Sequence, residues 1–485
     1  MAKCLEEQFA QRHLARLIKM PLNRCIMFAF YDFETTGTSP AFDQPLQFAA
    51  ILTDDDFNEI ERVNMRCRLS PHILPAPWAL AITGVAPDQI EDPSLPSWFE
   101  FCHQISALIV RWAPATWTGY NTIAFDEEFL RQSFYQNLHP NIYQTQFNHN
   151  DRLDLMNVIY AVWDRAPKTL RWPRDDKNRI SFKLDRLAPE NGFTAHEAHD
   201  ALGDVEATIH MARRNKDRAP AVWEGCLRNR DKLAVANTLQ SGHPVRLIER
   251  FGAAPPRSFI GVYAGTNPQN KNSMGFLDLD ASNVAELVDA DDKTLAEAVS
   301  GTPKLIRSIS INKTPNVFPL VSPAPEHVSA ARTVAKRADF RERVGQALAN
   351  RFADREEPED VEKQIYSGFY SAGDKRVLTE FQGSNWKHRA ELVKRLEDHR
   401  LRQLGQRLIF WNAPALVSNH YAAAAWAAIR GRWLSTDPDV PWMTITKVEK
   451  HLAEIAETNV LGVEELGRLK EFYANRVARV SGKHI

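Results

Sequence analysis

Cysteine is scarce in this chain. Five residues (Cys4, Cys25, Cys67, Cys102 and Cys226) are spread over 485, and no C-x-x-C pair occurs. That excludes a zinc ribbon and a disulfide framework, and it fits reduced thiols in the cytoplasm. Net charge is missing as well: 60 Lys and Arg against 61 Asp and Glu leave a formal charge of −1. A globally basic nucleic-acid coat is excluded, whereas a local basic groove is not. Long apolar runs are also lacking. The longest, 105–110 and 421–429, fall short of the ~20 residues that a membrane-spanning helix needs. Residues 1–23 carry Lys3, Arg12, Arg16 and Lys19 but no apolar core ending in a small-residue cleavage site, so no secretory signal is expected. No internal repeat or low-complexity tract interrupts the chain, and nothing points to an obligate dimer, so a monomer is expected.

What remains is an ordinary globular composition, 44% hydrophobic and 25% charged. At ~150 residues per domain the chain should hold about three domains. Residues 1–23 read as an N-terminal extension; Met20 and Met27 are both candidate starts, and 1–19 are expected to be dispensable. From 24 to 219, short apolar runs at 25–31, 47–53, 63–69 and 115–119 predict strands, and helical periodicity appears at 98–112, 126–138, 152–165 and 200–214. That mixture predicts an α/β domain. From 220 to 357, five β runs (245–248, 258–263, 275–279, 306–311 and 317–320) are separated by Gly, Pro and Asn, with one helix at 293–299. A small barrel or sandwich is expected there. Residues 358–485 are helical in pattern.

Three acidic elements carry chemistry. Asp32-Phe33-Glu34 follows an apolar run, and in a strand residues i and i+2 share a face, so both carboxylates project together. Paired hard oxygen donors suit Mg²⁺ or Mn²⁺. Asp-x-Glu also occurs at Asp126, Asp204, Asp354 and Asp360, so the first copy stands out only because acids at the end of a buried strand are costly unless paired or metal-bound. The second element, Gly119-Tyr120-Asn121 through Phe125-Asp126, is a strand end entering a helix, where Asp126 also suits the helix dipole. The third is His199-Asp200-Ala201-Leu202-Gly203-Asp204, with Asp204 bordering the buried stripe of a helix and His199 just before it.

In that order, with the His-x4-Asp spacing, these elements resemble the DEDDh class of 3′→5′ exonucleases, and within it the bacterial exonuclease I family. The matching stretches are Tyr31–Gly37, Gln47–Ala50, Ile82-Thr83-Gly84, Gly119–Asn121 with Phe125-Asp126, Ala198–Ala201 with Asp204, and Tyr366-Ser367-Gly368-Phe369 far downstream. Two departures stand out: Thr36 occupies a position that is often aromatic in the family, and the middle region is modest in Arg and Lys.

The resemblance implies a ribonuclease H-like mixed α/β sheet with helices, then an SH3-like β domain and an all-helical C-terminal extension. It implies a processive 3′→5′ exonuclease that degrades single-stranded DNA to nucleoside 5′-monophosphates in DNA repair and recombination. Asp32, Glu34, Asp126 and Asp204 would bind two Mg²⁺ ions (or Mn²⁺), with Asp32, Glu34 and Asp204 on the ion beside the attacking water and Asp32 and Asp126 on the second. His199 would be the general base. Glu34, Thr35, Thr83, Asn121, Arg131 and Lys183 are expected to contact substrate. The acidic C-terminal tail of single-stranded DNA-binding protein is an expected partner, with Arg165 as a contact. Two other readings stay open: a different DEDDh nuclease that trims RNA or proofreads, and a catalytically silent DNA-binding protein on the same fold.

Overall fold

In a computed structural model of the chain, the described residues are 26–194, 200–351 and 356–480. The N-terminal extension and His199 lie outside them.

The first sheet is built from β1 (Phe28–Thr35), β2 (Pro45–Thr53), β3 (Glu59–Arg66), β4 (Thr116–Gly119) and β5 (Asp151–Asp154), in the order β3-β2-β1-β4-β5. The first three strands pair antiparallel, while β4 and β5 run parallel to β1. Parallel neighbours need a crossover, and the helices Trp98–Trp112 and Asp126–Gln136 supply the two. The first opens on a capping box: Ser97 Oγ accepts from the Glu100 N–H while Glu100 accepts from the Ser97 N–H.

β1 is buried on both faces because helices cover both. Ala29, Tyr31 and Phe33 pack with Phe101, Ile105 and Phe134, whereas Phe28 and Phe30 pack with Val158, Ile159, Val205 and Met211. Asp32 and Glu34 continue the Phe28–Phe30 face, which faces the helix Ala201–Arg218. The expected mixed α/β sheet with helices is present. Asp32 and Glu34 stand near the end of β1, on one face, as expected. One local expectation needs correction. The helix expected at 152–165 begins only at Leu155, because Asp151–Asp154 pairs with β4 and Asp154 then caps the helix, accepting from the Met156 N–H at 3.0 Å.

The second sheet comprises β6 (Val245–Glu249), β7 (Arg257–Thr266), β8 (Ser273–Asp278), β9 (Ile306–Ser310) and β10 (Asn316–Pro319), all antiparallel in the order β10-β6-β7-β8-β9. It is one sheet, so no second sheet makes a sandwich among the described residues. Helices close one side instead: Asp292–Ser300, which the pattern predicts, and Pro325–Lys336 and Ala338–Asn350, which it does not. Their Leu295, Val299, Ala331, Phe340 and Val344 pack on Val262, Ala264 and Leu277.

The region after 358 is helical as expected, from Ala372–Gln382 to Val463–Val480. Among the described residues it has no core of its own. Leu378, Phe381, Leu392, Leu401 and Leu404 join Phe99, Phe134 and Leu138, and Val448, Ile455, Phe472 and Tyr473 join Leu69, Leu80 and Ile90. No described helix is long and apolar enough to cross a membrane.

Candidate active site

The sheet brings together residues that are 170 positions apart in sequence. One carboxylate oxygen from each of Asp32, Glu34 and Asp204 lies within 4.8 Å of the others. β1 presents the first two on one face, and the first turn of Ala201–Arg218 supplies the third. Three carboxylates at this separation repel one another strongly where water is partly excluded. Burial, and then Asp126, Asp204, Glu34 and Asp200, push the Asp32 carboxyl well above the usual carboxylate range. Burial, and then Asp204, Asp126 and Asp200, push Glu34 up to about 8. Such a cluster of hard oxygen donors is chemically matched to a divalent cation, whose charge offsets the repulsion.

Asp126 sits beside this cluster without entering its closest contacts. It is 2% exposed, and its Oδ1 accepts from the Phe33 backbone N–H at 3.1 Å. Burial pushes its carboxyl well above the ordinary value, against the lowering effect of that bond.

The loop Gly119–Asn121 is drawn against β1. A Cβ at Gly119 would collide with the Thr122 methyl and come within 2.5 Å of the Tyr31 carbonyl oxygen, so only glycine fits. Asn121 has φ of +66°, a conformation that Asn tolerates better than most residues. Asp154 fixes the turn by accepting from the Asn121 and Ile123 N–H groups at 3.0 and 3.1 Å. Tyr120 donates to the Phe182 carbonyl at 2.5 Å, which ties this loop to the exposed Lys183, the residue before the helix Leu184–Glu190.

The other expected contacts are placed as follows. Thr35 is buried and donates to the Gly37 carbonyl at 2.6 Å. Thr83 ends the helix Pro77–Thr83, which Gly84 closes at φ of +63°. Thr36, the departure noted above, is buried, donates to Asp43 and accepts from the Gln44 N–H, so it locks the loop after β1. Arg131 is not at the cluster: its guanidinium is buried against Glu127 and Glu128 and over the Tyr143 ring.

Three residues take roles that the motif reading does not assign. Asp200 caps Ala201–Arg218 and adds its charge to the cluster, while Gln47, opposite Glu34 in the β1–β2 ladder, donates to Asp200 at 3.0 Å. Cap chemistry marks Asp200 in sequence. Gln47 stands in a matching stretch that assigns it no role, and nothing local marks Glu127, whose partners are Tyr31 on β1, Arg152 on β5 and Arg131 one turn on in its own helix.

Residues 29–212 match the Exonuclease family model, and residues 359–476 match the Exonuclease I C-terminal domain. Exodeoxyribonuclease I of Escherichia coli is 31% identical over 376 residues, 72% of this chain and 78% of that protein. The chain belongs to the exonuclease I family. It is an exodeoxyribonuclease of that family, and the fold agrees over almost its whole length. Escherichia coli Exonuclease I in complex with a dT13 oligonucleotide superposes with a TM-score of 0.78 at 25% identity, covering 94% of this chain and all of that one. A structure described as SSB/Exonuclease I in complex with the inhibitor CFAM gives 0.77 at 26% identity, covering 93% of this chain and 99% of that one. Set in the exonuclease I frame, the acidic cluster lies within the matched nuclease segment, and the helices that share its core lie within the matched C-terminal segment.

Proposed function

We propose that this exonuclease I-family enzyme is a processive 3′→5′ exonuclease acting on single-stranded DNA in the cytoplasm. It releases nucleoside 5′-monophosphates by two-metal-ion hydrolysis, in DNA repair and recombination. The observation that carries the reading is the gathering of Asp32, Glu34 and Asp204 within 4.8 Å, with Asp126 beside them. Asp32, Glu34 and Asp204 would hold one Mg²⁺, and Asp32 and Asp126 the second; Mn²⁺ would suit the same oxygens. Bound ions supply Lewis-acid stabilisation of the attacking and leaving oxygens of an in-line displacement.

The chain's own groups do the rest. His199, an imidazole of the kind that titrates near neutral pH when unperturbed, takes a proton from the attacking water. The water oxygen bonds to the 3′-terminal phosphorus as the bond to the penultimate 3′-oxygen breaks. That oxygen leaves to become the new 3′-hydroxyl. Thr35, Thr83 and Asn121 hold the 3′ terminus, Glu34 also faces the terminal sugar, and Lys183 clamps a phosphate. Arg131 acts from behind through Glu127.

We assign residues 24–219 to the nuclease domain, 220–357 to an SH3-like domain and 358–485 to the helical extension, after an N-terminal extension of 1–23. The strand order β10-β6-β7-β8-β9, with the last strand beside the first, supports the SH3-like assignment. The three units enclose single-stranded DNA and track its backbone by charge and stacking.

A second protein completes the reading. The acidic tail of single-stranded DNA-binding protein docks at Arg165, an exposed guanidinium over the Phe318 ring with Arg246 and Arg228 nearby. Arginines grouped around an exposed guanidinium suit the charge of an acidic peptide. Salt-sensitive anisotropy of a labelled tail peptide, lost in Arg165→Ala, is expected; no binding at high micromolar protein refutes it. The substrate class is tested with matched DNA and RNA oligomers. Degradation of DNA is expected, and preferential trimming of RNA would refute the reading.

A further inference from the structure

Asp126 reaches the metal cluster from a helix that its own side chain ties to β1 by a single bond, from the Phe33 N–H. Its neighbour does more. Glu127 is 1% exposed and points away from the cluster into the core. It accepts from the Tyr31 hydroxyl at 3.1 Å, and it pairs with Arg131 at 3.2 Å and Arg152 at 3.1 Å. Tyr31 and Phe33 lie on one face of β1. The first turn of Asp126–Gln136 is therefore fastened to two successive positions of that face, Glu127 to Tyr31 and Asp126 to the Phe33 N–H.

Arg152 extends the fastening outward. It stands on β5, 5% exposed, and its second nitrogen donates to the Asn312 carbonyl at 2.8 Å. Asn312 lies in the turn between β9 and β10, so one buried guanidinium spans the nuclease sheet and the second sheet. A buried carboxylate held by two arginines and a phenol is rigid, because losing a charged partner leaves a buried charge less compensated and losing the phenol removes a hydrogen bond.

We propose that Arg152 and Glu127 are positioning residues for the Asp126 side of the metal site. Through Asn312 they make that side depend on how the second sheet is seated. The proposal rests on the metal-binding reading of the carboxylate cluster given above.

The test compares Arg152→Met, Arg152→Lys, Tyr31→Phe and Asp126→Asn in the full chain. Mn²⁺ binding is measured calorimetrically without DNA, together with Tm, the Mg²⁺ activation midpoint and KM for single-stranded DNA. Arg152→Met should weaken Mn²⁺ binding and raise the Mg²⁺ midpoint about tenfold, the usual scale for a group that orients a ligand, with KM for DNA within about twofold. Arg152→Lys should recover part of the loss, and Tyr31→Phe should show a smaller shift in the same direction. If Arg152→Met does not fold, the other two variants decide. Lower Tm with wild-type Mn²⁺ binding in the folded variants would overturn the proposal and leave a plain structural ion pair. Asp126→Asn separates the two failures. Weakened binding there with none in the Arg152 and Tyr31 variants overturns the positioning role alone. Unchanged binding in Asp126→Asn overturns the assignment of the second ion to Asp126, and this proposal with it.

Discussion

Asp32, Glu34 and Asp204 differ from surface acids because each raises the cost of ionising the others, and that cost sets their behaviour. Asp204→Asn should abolish hydrolysis while leaving the fold and Tm nearly intact. It removes one donor and several kcal/mol of transition-state stabilisation, by order of magnitude; near-normal turnover by the purified variant would sink the two-metal assignment. His199→Ala should lower the rate by roughly 10²–10⁴, and the wild-type rate should fall on acidification because imidazolium cannot accept a proton. An unchanged rate and pH profile would assign the base elsewhere. Metal binding should itself follow pH. Burial, then Asp204 and Asp126, raise Glu34 from 4.5 to about 8, so without metal its contribution to stability is intact below 4.5 and lost as pH rises through 8. Mg²⁺ binds the ionised form, so the Mg²⁺-induced rise in Tm should grow from about pH 6 to about pH 8.5. A rise that does not change with pH contradicts this. Much of this scale was legible in sequence: Asp32 and Glu34 share a strand face by period two, and His199-x4-Asp204 sets its spacing. Glu127 was not legible, because it looks like any acid in a helix's first turn and its cations come from Arg131 one turn on and from β5.

Helices and strands meet here through a few contacts that only tertiary structure reveals. The segment Val361–Tyr366 enters the nuclease core on Glu362, which is buried and paired with Arg407 at 2.5 Å and Arg432 at 2.6 Å. Burial alone would raise its pKa, but Arg407 and Arg432 hold it down to about 2. Its contribution is therefore complete above 4.5 and lost as pH falls toward 2, a window worth roughly 3 kcal/mol. Glu362→Gln should lower Tm at neutral pH and flatten that acid limb in a denaturation series; an unaltered limb would show that other carboxylates carry it. The helix Ala338–Asn350 lies flat on β7 because Gly345 and Gly265 leave the backbones in contact. A Cβ at Gly345 would come 2.5 Å from the Thr266 carbonyl oxygen, so Gly345→Ala should lower Tm despite alanine's better helix propensity. Long periodic elements such as Trp98–Trp112 were readable because one face is apolar throughout. Asp151–Asp154 was not, since four residues of strand run without a break into a helix and Leu153, Leu155 and Met156 continue its pattern.

Across the whole molecule, the helical extension completes a core begun near the N-terminus. Removing it would leave Phe99, Phe134 and Leu138 without Leu378, Phe381 and Leu404, so a chain ended after Glu357 should aggregate or lose structure. Enclosure of DNA therefore has to be tested in the full chain. With heparin trapping released enzyme, a single encounter should yield many cuts; one or two cuts would refute processive enclosure. The coarse plan of mixed sheet, β region and helices was visible in composition and periodicity. The shared core was not, because no local pattern says which apolar faces meet. The most direct measurement is digestion of 5′-labelled single-stranded DNA in Mg²⁺ and in EDTA. A ladder of labelled fragments shortening from the 3′ end is expected, with nucleoside 5′-monophosphates released, and no cleavage in EDTA. Immediate release of the labelled terminal nucleotide, or equal cleavage in EDTA, would contradict it.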